Sequence, residues 1–178
     1  MNFTEHHPQF FTATILEWKH LLKDDKYKEV ILDSLRFLVN EQRAIVNSFV
    51  IMRNHIHLIW QAVNGFTPEQ NQHSLLKYTA QQIKFDLQHS NPQLLEEFRV
   101  NAKDRIYPRL TGRAGILGAQ FIEHRFVQRG GVLTKENYIH YNPVEAGLCK
   151  FPEEYYYSSA RFYETQVDDF GFLTHWRG

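Results

Sequence analysis

The chain has 178 residues, 43% of them apolar and 15% aromatic, which excludes a disordered polymer and is enough for one domain with a real core. The lone Cys149 excludes an internal disulfide and a cysteine-based zinc site, and fits a reducing, cytoplasmic setting. Twenty basic side chains balance twenty acidic ones, which argues against indiscriminate nucleic-acid binding but leaves room for a local basic face. The polar N-terminus lacks the apolar core of a signal peptide, and no stretch is apolar for long enough to span a membrane, so no membrane partner is expected.

Phe10 to Leu16 is rich in β-branched and aromatic residues and predicts a first strand. Asp24 and Asp25 are placed to cap a helix over Tyr27 to Gln42, where Val30, Ile31, Ser34, Leu35, Leu38 and Val39 keep helical spacing. Ala44 to Met52 predicts a second strand and His55 to Ala62 a third, with Arg53-Asn54 as the hairpin turn. After the loop Asn64 to Pro68, Ser74 is the expected cap of a second helix whose inner side carries Leu75, Leu76, Tyr78, Thr79, Ile83 and Leu87. Asn91-Pro92 breaks it, and Leu94 to Val100 predicts a short further helix. Thr111 to Gly118 holds three glycines and is a poor regular element, whereas Ala119 to Gln128 alternates as a strand does. Thr134 is the expected cap of a last helix that continues through Glu136 to Asn142 and stops at Pro143. The aromatic tail from Phe151 packs in a form the pattern does not define.

Strand, helix, strand, strand, helix, strand is the ferredoxin-like (RRM-like) order. It predicts an α+β fold: an antiparallel sheet with helices on one face and the first and third strands paired at its centre.

Between Arg99 and Arg129 the charge is uneven. Arg99, Lys103, Arg105, Arg109, Arg113, Arg125 and Arg129 face only Asp104 and Glu123, with Tyr107, Phe121 and Phe126 interleaved. This is the composition of a surface that grips phosphates and stacks on bases, although charge runs alone are ordinarily solvated loops.

The chemistry-bearing residues lie elsewhere. His55 and His57 are one residue apart on the third predicted strand, so their rings share a face while Ile56 points into the opposite layer. One histidine on a strand is ordinarily structural; a pair inside an apolar strand suits convergence on one metal ion or phosphate. On the last helix Tyr138 and Asn142 are four apart and share a face. A tyrosine hydroxyl is a usable nucleophile on phosphorus when a cation polarises the phosphate, and an asparagine amide oxygen is a hard ligand suited to Mg²⁺ or Mn²⁺. Tyr141 is the competing nucleophile, on another face of the helix. His140 lies off the Tyr138 face and is expected to be structural or DNA-facing.

His55-Ile56-His57 on a strand, followed some eighty residues later by Tyr138-Ile139-His140-Tyr141-Asn142-Pro143-Val144-Glu145-Ala146-Gly147-Leu148, resembles the single-tyrosine transposases of the HUH superfamily, in particular the REP-associated tyrosine transposases and their insertion-sequence relatives. Ser48 to Met52 before the histidines and Tyr155 to Ala160 after the helix extend the likeness, which runs from the first strand to about Tyr163. The resemblance implies one HUH transposase domain over 1–178, with a core at about 8–163 and a tail at 164–178. It implies a metal-dependent transposase, an endonuclease and strand transferase in DNA transposition and recombination. Tyr138 would be the nucleophile, and His55, His57 and Asn142 the ligands of Mg²⁺ or Mn²⁺. The partner would be single-stranded or hairpin DNA with REP-like ends, and the setting the bacterial cytoplasm, at the nucleoid. Arg53 stands where many relatives have proline, and joins the seven basic residues above as a DNA-binding candidate. Monomer and homodimer are both compatible with such a family. The other reading is a domesticated single-strand nucleic-acid-binding module of the same fold without turnover.

Overall fold

The computed structural model describes residues 7–103, 117–118 and 129–177. Strand β1, Gln9–Ile15, is buried along its whole length, as a central strand must be. Asp24 then accepts a hydrogen bond from the Lys26 amide and opens helix α1, Asp25–Asn40. Tyr27, Ile31, Leu35 and Leu38 recur at helical spacing and form its buried stripe. Strands β2, Ala44–Ile51, and β3, His55–Ala62, follow as a hairpin closed at Met52 N–H to His55 C=O, 2.7 Å.

Helix α2 spans Pro68–Ser90 and starts seven residues earlier than a Ser74 cap would allow. The cap is Thr67. Its hydroxyl accepts from the Gln70 amide while the Gln70 side chain accepts from the Thr67 amide, and Pro68 fills the first helical position, where its missing N–H costs nothing. Leu75, Thr79, Ile83 and Leu87 line the buried side, whereas Tyr78 is exposed, one step off that stripe. Helix α3 covers Pro92–Lys103.

The sheet order is β2-β3-β1-β4, the described residues of β4, Leu117–Gly118, pairing with Ile15 and Thr14. This is the ferredoxin-like order, antiparallel throughout, with β1 and β3 at the centre. The described part of the fourth strand thus falls at the end of the glycine-rich stretch; the strand expected over 119–128 lies outside the described residues.

Period-two alternation divides β1 and β3 between two layers. Phe11, Ala13, Ile15, Ile56, Leu58 and Trp60 pack with α1 and α2 into the larger core. Phe10 and Ile59 pack on the opposite face against Val132 and Ile139 of helix α4, Arg129–Glu145. In β2 the register slips between Val46 and Ser48. That bulge lets Val46 and Phe49, three apart, face the same core, and turns Val50 and Met52 toward α4. The outer edge of β2 is covered by chain from beyond α4: Ile51 N–H donates to Tyr157 C=O, Ser159 N–H to Phe49 C=O and Thr174 N–H to Val46 C=O. Helix α5, Ala160–Thr165, lies in this segment, and Phe170 and Phe172 join the larger core.

Two sequence expectations fail at α4. It begins at Arg129, so Thr134 is an exposed interior residue rather than a cap. It also runs through Pro143 to Glu145. The true stop is Gly147, at φ +66°: its amide bonds to Val144 C=O and the Leu148 amide to Pro143 C=O, a Schellman closure. Proline is tolerated one turn from the end, where it removes a single helical bond.

Candidate active site

His55 and His57 stand on the α4 side of β3, with ring centroids 4.7 Å apart. His57 is 6% exposed. It stacks on Phe10 at 5.4 Å, and its Nδ1 lies 2.7 Å from the Thr12 hydroxyl. Thr12 pairs with His57 across the β1–β3 ladder, so the hydroxyl is held by the sheet itself. Burial, then the charges of His55 and Lys135, push the His57 imidazole down to about 3. Burial also lowers His55, opposed by its contact with Asn142. Both rings are therefore neutral at pH 7, with one nitrogen each free of a proton.

For His55 the free nitrogen can be named. Asn54 donates its amide N–H to Trp18 C=O at 3.3 Å, which turns Asn54 Oδ1 toward His55 Nδ1, 2.8 Å away. A carbonyl oxygen only accepts, so Nδ1 carries the proton and Nε2 carries a lone pair. That lone pair faces Asn142 Oδ1 at 3.3 Å. Two electron-pair donors meeting without a proton between them form the kind of pair a cation joins.

Helix α4 delivers the opposing residues. Val132, Glu136, Ile139, His140 and Pro143 form its buried stripe, and the neighbouring row holds Lys135, Tyr138 and Asn142. The Tyr138 ring meets His57 edge-on at 5.2 Å and Phe10 at 6.2 Å, yet the side chain is 45% exposed, so its hydroxyl is accessible. Lys135 Nζ lies 4.7 Å from the Phe10 ring centre and 5.7 Å from that of Tyr138. The structure thus brings together Tyr138, Asn142, His55 and His57, which the sequence separates by more than eighty positions.

Tyr141 is exposed and, among the described residues, makes no ring contact with either histidine. His140 is structural. It is buried and shares a 2.8 Å hydrogen bond with Ser159 Oγ, and burial lowers its imidazole to about 4. Arg53 is an exposed turn residue next to the site strand. Of the basic segment, Arg105, Arg109, Arg113 and Arg125 lie outside the described residues; Arg99 and Lys103 belong to α3 and Arg129 opens α4 by backbone alone. Among the described residues no group of three or more His, Cys, Asp or Glu gathers, so the donor set is two imidazoles and an amide oxygen. That mixture suits a divalent ion of borderline to hard character, with positions left for phosphate and water.

Three contributors escaped the sequence reading. Thr12 needs strand register to be seen. Lys135 sits three residues before Tyr138 on the same helical row, a spacing that was legible. Trp18 closes the rim beside His55, with ring centroids 6.0 Å apart. It and Glu17 both have φ of +56°, which for non-glycine residues costs about 1–3 kcal/mol each.

No protein-family model and no curated protein sequence matches the chain. Among solved structures, a Deinococcus radiodurans R1 protein assigned as a transposase superposes loosely, with TM-score 0.42 and 13% identity over 78% of this chain and 94% of that one. A REP-associated tyrosine transposase, solved bound to a REP hairpin, superposes with TM-score 0.58 at 16% identity over 98% of this chain and 89% of that one. The α+β fold of this chain is thus shared, nearly end to end, with that of the REP-associated tyrosine transposase.

Proposed function

We propose that this chain is a transposase that cleaves and rejoins single-stranded DNA through Tyr138, with DNA hairpins as the recognised ends. The observation that carries the reading is the meeting of two distant pairs: Tyr138 against His57, and Asn142 against His55 one helical turn further on. The fold shared with a hairpin-bound transposase supports it.

In this reading the Tyr138 oxygen attacks a scissile phosphorus and loses its proton. A tyrosine–phosphorus bond forms, the bond to the 3′ oxygen breaks, and that oxygen leaves as a 3′-hydroxyl after taking a proton. The strand is left joined to Tyr138 through its 5′-phosphate. Attack of another 3′-hydroxyl reverses the step and reseals without external energy. His55, His57 and Asn142 would hold Mg²⁺ or Mn²⁺, which would polarise the phosphate and offset the charge that attack adds. Asn54 fixes the tautomer and orientation of His55, and the Thr12 hydroxyl fixes the orientation of His57 through Nδ1, so that each imidazole would meet the ion in one orientation. Phe10 and Lys135 brace the phenol ring.

The test is incubation with single-stranded DNA carrying the hairpins that flank the coding sequence, with Mg²⁺ or Mn²⁺. A covalent protein–DNA adduct that survives denaturation is expected, lost in Tyr138→Phe and retained in Tyr141→Phe. An adduct that persists in Tyr138→Phe overturns the assignment. Free cleavage products without any adduct indicate water as the nucleophile, and binding without cleavage across such substrates indicates the non-catalytic module.

A further inference from the structure

We infer that Trp18 is a stacking platform for the nucleobase next to the scissile phosphate, so that the site takes an unpaired nucleotide and not merely a phosphodiester. The inference rests on the proposed function and deepens it. Trp18 is 51% exposed, although tryptophan is among the residues folding buries most readily.

The backbone that carries the indole is nevertheless held in place, and the ring lies edge-on to His55, centroids 6.0 Å apart. Leu16 before it is buried in the larger core. Lys19 after it is ion-paired with Glu97 and lies over the Phe98 ring of α3 at 5.1 Å. Between these anchors Glu17 and Trp18 take left-handed backbone conformations that side-chain-bearing residues avoid. A strained turn that presents a large apolar ring outward gains nothing from burial, and an aromatic ligand supplies the missing contact.

The position identifies the ligand. Asn54 holds the Trp18 carbonyl with its amide nitrogen and His55 with its amide oxygen, while its own carbonyl accepts from the Ile15 amide at 2.7 Å. One side chain therefore ties the Trp18 backbone to the His55 imidazole. With a phosphodiester against His55, His57 and Tyr138, the group that reaches the indole is the flat base of a neighbouring nucleotide. Tryptophan reads no base edge, so this contact fixes which nucleotide is seated rather than its identity. The base must be unpaired, because a paired base presents its faces to its neighbours in the duplex.

The experiment compares two fluorescein-labelled probes in EDTA, a twelve-residue oligothymidylate and a twelve-residue abasic strand, by anisotropy. The unchanged protein is expected to prefer the oligothymidylate. Trp18→Ala should weaken oligothymidylate binding about tenfold, the size of one base–aromatic stack, and leave abasic binding within twofold. Trp18→Phe should recover most of the loss. Equal weakening on both probes marks a structural role and overturns the inference, as does unchanged oligothymidylate binding in Trp18→Ala. In either case adduct formation lost in Tyr138→Phe leaves the proposed function standing. An unchanged protein that binds neither probe, or binds both equally, also overturns the inference, while the adduct test decides the proposed function by itself.

Discussion

The two faces of one sheet have been put to different uses. Toward α1 and α2, β1 and β3 present Phe11, Ala13, Ile15, Ile56, Leu58 and Trp60, an apolar layer closed by two long helices. Toward α4 the same strands present Phe10, Thr12, His55, His57 and Ile59, where apolar and polar groups alternate beneath that helix. The first face carries the folding free energy. The second carries groups that lower it: two desolvated imidazoles and, on α4, a buried carboxyl. Strands this well fixed from one side can hold unfavourable chemistry on the other.

The largest expected effect breaks the second face without touching the first. Tyr138→Phe should reduce adduct formation on the order of 10³-fold or more, with an unchanged melting temperature, measured on denaturing gels and by calorimetry. An equal loss in Tyr141→Phe would move the nucleophile to the other helical row. The converse change is Leu58→Ala. It deletes a fully buried side chain one residue from His57 but in the opposite layer. It should cost about 2–5 kcal/mol in denaturant unfolding, and spare the activity of the folded fraction. A loss of activity at conditions where the variant is fully folded would show that the two faces are not separable.

Smaller effects sharpen the division within the site face. Thr12→Val keeps the shape but removes the hydroxyl beside His57 Nδ1, so it should lower metal-dependent cleavage about 10–100-fold with little change in stability. Full activity in this variant would mean that stacking on Phe10 alone orients the ring. The smallest effect concerns Glu136, buried on α4. Burial pushes its carboxyl up to about 7, against the pull of Tyr163, Trp176 and Arg177. The folded chain then holds a proton that the unfolded chain has released. Stability should therefore fall as pH rises from about 4.5 to about 7 and level off above, and Glu136→Gln should flatten that slope in melting curves taken across the range. An unchanged slope would place the pH dependence elsewhere.

Most of the framework was legible because its signals are local. His55–Ala62 carries strand residues and ends where the pattern says it does, and α1 follows its apolar period. The helix ends depart from the sequence pattern where a weaker signal stands near a stronger device: Ser74 lies inside a helix opened by the reciprocal Thr67–Gln70 box, and Pro143 inside one closed by the left-handed Gly147. The β2 bulge at Asn47 left no mark in the alternation until its partner strand was known.

The sequence by itself determined that His55 and His57 share a face, that Tyr138 and Asn142 share another, and that the strands and helices follow the ferredoxin-like order. Periodicity of 2 and 3.6 is enough for that, since both are set by the backbone over a few residues. Only the tertiary structure decided that those two faces oppose each other, that Thr12 rather than a neighbour holds His57, that Asn54 dictates the His55 tautomer, and that Trp18 stands at the rim. Those facts depend on strand register, on the α4 packing angle and on a turn with positive φ. Each is settled by contacts between residues tens of positions apart, which no local pattern encodes.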